Sequence, residues 1–499
     1  MNAGANNPAT DGAQVIRRVY FGLMVVLGLG SIDQSIVSTA LPRIVADLGG
    51  LSHLSWVVTA YVLASTATMP LYGRLSDQYG RRPLILIAIL LFLAGSMLCG
   101  LARTLPELIV FRALQGLGAG GFMPLSQIII GDLVPPAARG KRQGGIAAVY
   151  AACSVVGPLL GGVVTDVFSW HWIFYINLPF GLWGVWLIAR ALPHSTPGGG
   201  QRIDFLGSFL LTSATTAVLL LLTLGGVQWP WTAVPTMALA LLAAGLTAAL
   251  LRHVRRVPDP VLPLDLFSNR VFDVACVVMA LSFMGLLGAS VFFPLFFQVV
   301  RGVSPARSGL LTAPLMIGVV LSSVFNGRVL LRSGRYKPAQ LIGLFVATLA
   351  LAVVTWGIRG GATLAVIEPP IFLLGLGLGL VVPNMTIAVQ NALPPERRGV
   401  GTSMLAFFRS LGGLLGVTGS GALFARHVQN LAGAAVRGPE MAGGLDVSRL
   451  AGPARLASML LYRQAISQAF ALGVAMIALA WCCLWLLPEL PLHGRQERG

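Results

Sequence analysis

Charged side chains are scarce in this sequence, since only 10% of its 499 residues are Asp, Glu, Lys or Arg. A soluble protein of this length would carry far more charge on its surface. Hydrophobic residues make up 56% of the chain, and the mean hydropathy is +0.81. Apolar runs of about 20 residues or more recur, each long enough to cross a membrane as a helix. The sequence therefore predicts an all-α membrane protein, because a membrane strand needs only about ten alternating residues.

Cysteine is rare as well. The five cysteines lie in apolar runs without the spacing of metal ligands, so we expect them to be reduced packing residues. The sequence contains no zinc pattern, phosphate-binding loop or nucleophile elbow. We therefore predict that the protein is not an enzyme and that it binds no cofactor or metal.

Fourteen apolar segments are predicted to span the membrane. The polar stretch before the first of them lacks the features of a removable signal peptide, so we expect no cleavage there. The predicted spans lie near residues 19–41, 54–73, 83–102, 107–130, 144–167, 172–190, 204–224, 232–251, 272–298, 308–330, 338–357, 365–390, 402–425 and 466–487.

The basic residues predict the orientation of these spans. With the N-terminus inside, 22 of the 34 Lys and Arg residues fall in inward loops and termini, and ten fall outside. Five of those ten belong to one outer segment, 426–465, and long segments count less toward orientation. We therefore predict cytoplasmic termini, and we attribute the net charge of +17 to topology rather than to nucleic-acid binding.

Two motifs return in the second half of the chain. "GRLSDQYGRRP" at 73–83 returns as "GRVLLRSGRYK" at 327–337, an offset of 254 residues. "GLGAGGFMP" and "VPPAARG", which begin at 116 and 134, return as "GLGLGLVVP" and "LPPERRG" at an offset of 259. Two six-helix halves alone would repeat after about 200 residues, so we place two extra helices between them.

The predicted architecture is two six-helix bundles plus two inserted helices, an arrangement typical of transporters that rock one half against the other. The corresponding divisions are a cytoplasmic N-terminus at 1–18, a first bundle at 19–190, the inserted helices with flanking cytoplasmic loops at 191–270, a second bundle with the outer segment 426–465 at 271–490, and a cytoplasmic C-terminus at 491–499.

Five segments resemble the signature motifs of the major facilitator superfamily, specifically its fourteen-helix drug:proton antiporter branch. They are "DQSIVSTALP" at 33–42, "GRLSDQYGRRP" at 73–83, "RALQGLGAGGFMP" at 112–124, "GPLLGG" at 157–162 and "WHWIFYINLPFG" at 170–181. One departure is His171, where the family usually has Arg. The resemblance implies the major facilitator fold in a bacterial inner membrane, working as a monomer.

Asp33 is the strongest candidate to carry a proton. It lies roughly 21 Å into the first predicted span, where a carboxylate costs about 2.5–3.5 kcal/mol even on lenient scales. Arg112 in the fourth span has a similar depth, so we expect the two to meet directly or through Gln34, Gln115 or water. The resemblance assigns Arg112 to proton coupling, and Ile371 stands at the equivalent position of the second half. The alternatives are a structural ion pair and an arginine that reaches the outer interface.

The charge-rich segment 73–83 is interpreted as a cytoplasmic gate. Its residues of interest are Gly73, Arg74, Asp77, Gly80 and Arg81. The arginines satisfy the positive-inside rule, and the glycines allow a tight turn and close backbone approach. The resemblance implies that Asp77 bonds within its own loop and to a helix N-terminus of the other half. Leu331 replaces Asp77 in the second copy, so only the first copy could form this contact between the halves. The alternative is a purely topological loop.

The segment 157–162 is interpreted as a site of close helix packing with a local kink, and the resemblance links it to export. Its residues are Gly157, Pro158, Gly161 and Gly162. Elsewhere, Arg409 is expected to extend toward the cytoplasmic interface, and Glu368 to be a solvated acid at a helix start. Asn177 and Asn384 are expected to bond backbone groups freed by neighbouring prolines.

Aromatic, amide and methionine side chains are the candidates for a roomy substrate cavity. Lipid-facing side chains look the same in sequence, and we expect half of the candidates to be of that kind. The candidates are Gln34, Trp56, Tyr61, Gln115, Phe283, Phe292 and Met385.

Together these features predict a proton-coupled antiporter that exports lipophilic or cationic drugs across the bacterial plasma membrane by alternating access. Its expected partners are a small-molecule substrate, protons and the lipid bilayer. An exporter of an endogenous lipid or metabolite would carry the same motifs, and an uptake symporter would bind substrate and proton together. A non-transporting sensor would need a sizeable soluble domain, whereas the longest loop, 426–465, has 40 residues.

Overall fold

The computed structural model describes residues 8–48, 54–193, 204–225, 229–258, 260–303, 305–333, 335–432 and 452–491. These ranges are almost entirely helical and contain no β-strand. The all-α fold is therefore confirmed.

The helices follow one another in chain order, and several predicted spans are made of two shorter pieces. They are α1 (Pro8–Leu48), α2 (Leu54–Tyr79), α3 (Arg81–Leu101), α4 (Leu105–Ala119), α5 (Phe122–Leu133), α6 (Pro136–Val167), α7 (Trp172–Tyr175), α8 (Asn177–Ala191), α9 (Phe205–Leu224), α10 (Val234–Val254), α11 (Arg270–Ser290), α12 (Phe292–Leu295), α13 (Pro305–Ser333), α14 (Lys337–Gly360), α15 (Leu364–Ala392), α16 (Arg398–Ala432) and α17 (Gly452–Leu484). A π-helical turn, Phe296–Val300, extends α12.

Each of the fourteen predicted spans falls on helix. Among the described residues, twelve helical segments are long and apolar enough to cross a membrane. The spans predicted at 54–73 and 144–167 lie in α2 and α6, which are not among those twelve. The total of fourteen membrane helices therefore stays a prediction.

The last apolar segment of the chain differs from the prediction at both of its boundaries. The last apolar segment is Met459–Leu484, whereas the sequence suggested 466–487. Helices α16 and α17 both continue into the predicted outer segment 426–465, and its middle, 433–451, lies outside the described residues. The apolar run was placed too late because its first turns contain Arg463 and Gln464.

The helices pack in two groups. Helices α1–α8 contact mainly one another, α11–α17 do the same, and each group has its own core of buried apolar side chains. The two groups meet where α2 lies against α16 and α6 against α13. The inserted helices α9 and α10 pack together, and α9 lies against α2. This arrangement places the interface between the groups at the centre of the molecule.

Glycines allow helices α11 and α16 to approach each other closely. A Cβ atom at Gly412 would lie 2.1 Å from the carbonyl oxygen of Ala280, and one at Gly416 would lie 2.1 Å from that of Met284. Small residues of this kind drive helix association in a membrane, where burial of apolar surface gives no advantage over lipid. The second group therefore depends on backbone contact at these two turns.

We predict that Gly412→Ala lowers the thermal unfolding midpoint of the purified protein, because the added methyl group must push two backbones apart. Overpacking of this kind costs about 1–3 kcal/mol. Gly245→Ala in α10 is the matched control, since nothing lies within 4 Å of its Cβ position. Equal midpoints for the two variants in a detergent melting assay would contradict the prediction.

Candidate functional site

The deepest polar cluster of the first group is centred on Asp33, which is 1% exposed. A guanidinium nitrogen of Arg112, Nη1, donates to Asp33 Oδ2 at 2.6 Å. The other carboxylate oxygen, Oδ1, accepts hydrogen bonds from Gln115 Nε2 at 2.8 Å and from Asn177 Nδ2 at 2.7 Å. Three helices, α4, α8 and α1, therefore meet at one carboxylate.

Further contacts fix the members of this cluster. Arg112 also donates to Gln115 Oε1 at 2.6 Å and to the Val57 carbonyl oxygen at 3.3 Å. Its guanidinium lies over the ring of Tyr61, 4.2 Å from the centroid. Asn177 donates a second bond to Ser96 Oγ at 2.9 Å. The carboxylate is thus held by charge-assisted bonds whose donors are themselves held in place.

Glycines on the packed helices make room for this cluster. A Cβ atom at Gly95 would lie 2.5 Å from the backbone nitrogen of Gln115, and one at Gly116 would lie 2.5 Å from the carbonyl oxygen of Tyr61. Helix α4 consequently lies close to both α3 and α2. That approach brings Gln115 and Arg112 within reach of Asp33.

Asp77 forms the second polar cluster, at one end of the molecule. We call this end the Asp77 face; it contains Asp77, Asp132 and the start of α16 at Arg398. Asp77 Oδ1 accepts a hydrogen bond from Arg81 Nη1 at 2.5 Å within its own segment. Its Oδ2 accepts one from the backbone N–H of Val400, in the first turn of α16, at 2.9 Å. One carboxylate therefore joins the two helix groups.

Burial raises the pKa of the Asp77 carboxyl, which lies beyond the predicted span 54–73, to about 6, although Arg81 and the Val400 N–H favour its charged form. The carboxyl is therefore charged above about pH 6. The cost of desolvating that charge offsets part of the free energy gained from its hydrogen bonds. Arg81 is shared, because its Nε also donates to Asp132 Oδ2 at 3.0 Å.

Other residues also join the groups at this face or near mid-depth. Gly73 lies against α16, where a Cβ atom would be 2.2 Å from Ser403 Oγ. Gln390 Nε2 donates to the Gln127 carbonyl oxygen at 3.1 Å, and the hydroxyls of Thr66 and Ser410 are 2.8 Å apart. These contacts hold the two groups together from the Asp77 face to near mid-depth.

The remaining gate residues have local roles in the chain turn. Gly80 has a φ of 89°, a backbone conformation that favours glycine, and it ends the segment before α3 begins. Arg74 is buried, and its Nε has no hydrogen-bond partner within the described ranges. The copy of Asp77, Leu331, has a side chain outside the described part of the structure.

The glycines of segment 157–162 divide into two kinds. A Cβ atom at Gly157 would lie 2.4 Å from that of Ser35, and one at Gly161 would lie 2.2 Å from Thr39 Oγ1, so both pack on α1. Nothing lies within 4 Å of the Cβ position of Gly162, which points away from that contact. The side chain of Pro158 is outside the described residues, and α6 continues through this position.

The residues predicted to line a cavity lie in several different environments. Gln34 is exposed, and Trp56 and Phe283 are half-buried. Tyr61 and Gln115 belong to the Asp33 cluster instead. Phe292 and Met385, which are 5% and 0% exposed, lie in the hydrophobic core of the second group. Their burial could not be predicted, because core and cavity positions on a membrane helix have the same apolar composition.

Two polar residues, Asn177 and Arg409, have other surroundings than the sequence suggested. Asn177 bonds Asp33 and Ser96 rather than backbone. Asn384 donates to the backbone carbonyl oxygen of Leu380 at 2.8 Å and also exchanges side-chain hydrogen bonds with Asn326. The guanidinium of Arg409 lies 5.3 Å from the ring centroid of Phe283 instead of extending to the Asp77 face. Among the side chains that bond Asp33 directly, Asn177 is the one that sequence reasoning missed; its signal was a polar residue inside an apolar run.

Comparison with known proteins identifies a matching family and similar sequences. The family model described as "Major Facilitator Superfamily" matches residues 23–417. The chain is 37% identical over 410 residues to "Multidrug transporter protein MdtP" of Bacillus subtilis (strain 168), an alignment that covers 82% of this chain and 75% of that protein. It is 36% identical to "Multidrug resistance protein 3" of the same organism, covering 80% and 78% of the two chains.

Solved structures share the fold at low sequence identity. The human organic anion transporter MFSD10 aligns with a TM-score of 0.65 at 17% identity, over 94% of this chain and 99% of that one. The proton:xylose symporter XylE aligns with a TM-score of 0.63 at 15% identity, over 96% and 97%. The sequence match and the shared fold lead to one conclusion: this multi-pass membrane protein belongs to the major facilitator superfamily of transporters.

Proposed function

We propose that the protein is a proton-coupled antiporter that exports lipophilic or cationic drugs by alternating access, as a monomer in a bacterial inner membrane with both termini cytoplasmic. The observation that carries the proposal is the fully bonded carboxylate of Asp33, which is buried at mid-depth beside Arg112. An ionisable acid in such a place marks a proton or substrate pathway in most membrane proteins. The similarity to multidrug transporters supports the substrate class.

Asp33 and Arg112 act as a proton switch in this proposal. While the helices are packed around the pair, Arg112 and Gln115 each bond one carboxylate oxygen of Asp33. If the helices separate by a small distance, the ion pair is lost and the buried carboxyl takes up a proton. Each conformational cycle can therefore load and release one proton at Asp33.

Asp77 holds the cytoplasmic side closed in this proposal. Basic residues concentrate at the Asp77 face, which supports its assignment as cytoplasmic. The Asp77–Val400 bond is made between the two helix groups, so it must break when they separate. The desolvation cost of the Asp77 carboxyl keeps the contact weak enough to reopen in every cycle.

The proton gradient is sufficient for this work. One proton that moves down a potential of 100 mV releases about 2.3 kcal/mol. That free energy supports roughly a fifty-fold gradient of a neutral substrate. A one-to-one exchange is therefore adequate for a neutral drug, whereas a monovalent cation exchanged one for one is driven only by the pH difference.

The first test uses everted membrane vesicles with an acidified interior, a pH-sensitive dye and a panel of lipophilic cations and neutral drugs. We expect substrates to release protons from wild-type vesicles and Asp33→Asn to reduce that release to background, because the amide cannot carry the proton. Asp47→Asn is the matched control on the same helix, since Asp47 bonds Trp170 Nε1 at the far end of α1. Equal responses of wild type and Asp33→Asn would exclude Asp33 as the coupling site.

A second variant separates loss of coupling from loss of folding. Removing one partner of a buried ion pair costs about 3–5 kcal/mol, because the other charge is left alone. The double variant Asp33→Asn, Arg112→Gln avoids that cost and should fold, yet it should release no protons. If no compound of the panel changes the pH of wild-type vesicles, export of an endogenous lipid or metabolite replaces drug export.

The gate is tested by the distance between spin labels at the exposed positions Tyr79 and Glu396, which belong to opposite helix groups. Asp77→Ala should shift the population toward long distances about tenfold or more, because a hydrogen bond to a charged group contributes about 1.5–3 kcal/mol. Asp132→Ala is the matched control, since Asp132 bonds Arg81 within its own group. A gate that depends only on packing would leave both variants like the wild type.

A further inference from the structure

Arg409 is a positive charge deep in the molecule that the proposed mechanism does not use. It lies eleven residues after Arg398, so about 16 Å along α16 from the Asp77 face. Arg112, the other deep arginine, is neutralised by Asp33. In the part of the chain that the structure describes, Arg409 has neither a hydrogen bond nor an ion pair, although its side chain is only half-buried. An ionisable residue at this depth is expensive and is a functional hypothesis by default.

The surroundings of Arg409 place it on the wall of the central interface. Its guanidinium lies over Phe283 of α11, which leaves the N–H edge free. Tyr150 of α6, in the other helix group, lies near Arg409, and its side chain is 37% exposed. The next residue, Ser410, contacts Thr66 of α2 across the same interface. A molecule bound at Arg409 would therefore touch both helix groups.

The charges around this place favour an anion. Asp33 is the acid placed deep within a predicted span, while the other acids of the chain lie near span ends or in loops. Because Asp33 is already bonded to Arg112, the charge of Arg409 has no counterpart at mid-depth within the described ranges. A free guanidinium edge presents two parallel donors that match a carboxylate.

We propose that Arg409, with Phe283 and Tyr150 beside it, binds the carboxylate of lipophilic acids at the central interface between the two helix groups. This inference rests on the proposed export function and narrows its substrate class from lipophilic or cationic compounds to lipophilic compounds with an anionic group. The aromatic rings contact the apolar part of the ligand, and the guanidinium binds its negatively charged carboxylate. Lipophilic cations are repelled from the same wall.

The test compares three probes with one apolar body on the purified full-length protein in nanodiscs. They are 1-pyrenebutanoate, its methyl ester and 4-(1-pyrenyl)butyltrimethylammonium, and their binding is followed by fluorescence anisotropy against empty nanodiscs. Wild type should bind the carboxylate about tenfold or more tighter than the ester, because a charge-assisted hydrogen bond is lost in the ester. The ammonium probe should bind weakest.

Substitutions then assign the preference to Arg409. Arg409→Met should remove the preference for the carboxylate without changing the affinity for the ester, whereas Arg409→Lys should keep most of it. Arg190→Met is the matched control, because Arg190 also stacks on an aromatic ring, that of Trp186, but at an exposed position of α8. Arg409→Gln replaces the Met variant if that protein is not monodisperse.

Two results would overturn the inference. One is a wild-type protein that binds the ester or the ammonium probe as tightly as the carboxylate, or binds none of the three. The other is a carboxylate preference that survives in Arg409→Met. Drug-driven proton release that depends on Asp33 would still stand after either result, so failure of the anion site and failure of the export function are distinguishable.

Discussion

A buried carboxylate in the low-dielectric interior of a helix bundle is costly unless its atoms are bonded, and this constraint organises the first half of the molecule. The carboxylate of Asp33 needs donors from α4 and α8, so these helices must approach α1 at one depth. Glycines meet that need, because Gly95 and Gly116 allow α4 to lie against its neighbours at backbone distance. The cluster and the packing around it are consequently a single feature of the fold.

The two halves share a fold, but the second half has apolar residues where the first has Arg112 and Asp77. Arg112 corresponds to Ile371, which is fully buried in the hydrophobic core of the second group, and Asp77 corresponds to Leu331. The second half instead supplies the surfaces that the first half engages, namely the Val400 N–H and the Ser410 hydroxyl. In the proposed cycle, one half carries the proton and the latch acid, while the other offers backbone and neutral partners.

The depth of a residue along its helix could be predicted from sequence, but the direction in which its side chain faces could not. The rise per residue places Asp33 and Arg112 at similar depths, and the structure brings them into contact. The same reasoning missed Asn177, because nothing in an apolar run tells which neighbouring helix a polar side chain faces. It likewise put Met385 in a cavity and Arg409 at an interface, although the first is sealed in a core and the second stacks on Phe283. Rotation about the helix axis is set by packing against neighbours, which a single sequence does not contain.

The sequence by itself determined the class of this protein, because the length and hydropathy of its segments admit only membrane helices and its motifs repeat in two halves. It also determined which few residues bear charge inside those helices. The tertiary structure alone decided the partners of these charges: Asp33 with Gln115 and Asn177, and Asp77 with the start of α16. Asp33 and Gln115 are 82 positions apart in the sequence, and Asp77 and Val400 are 323 positions apart. Only the packed helices bring such distant residues together.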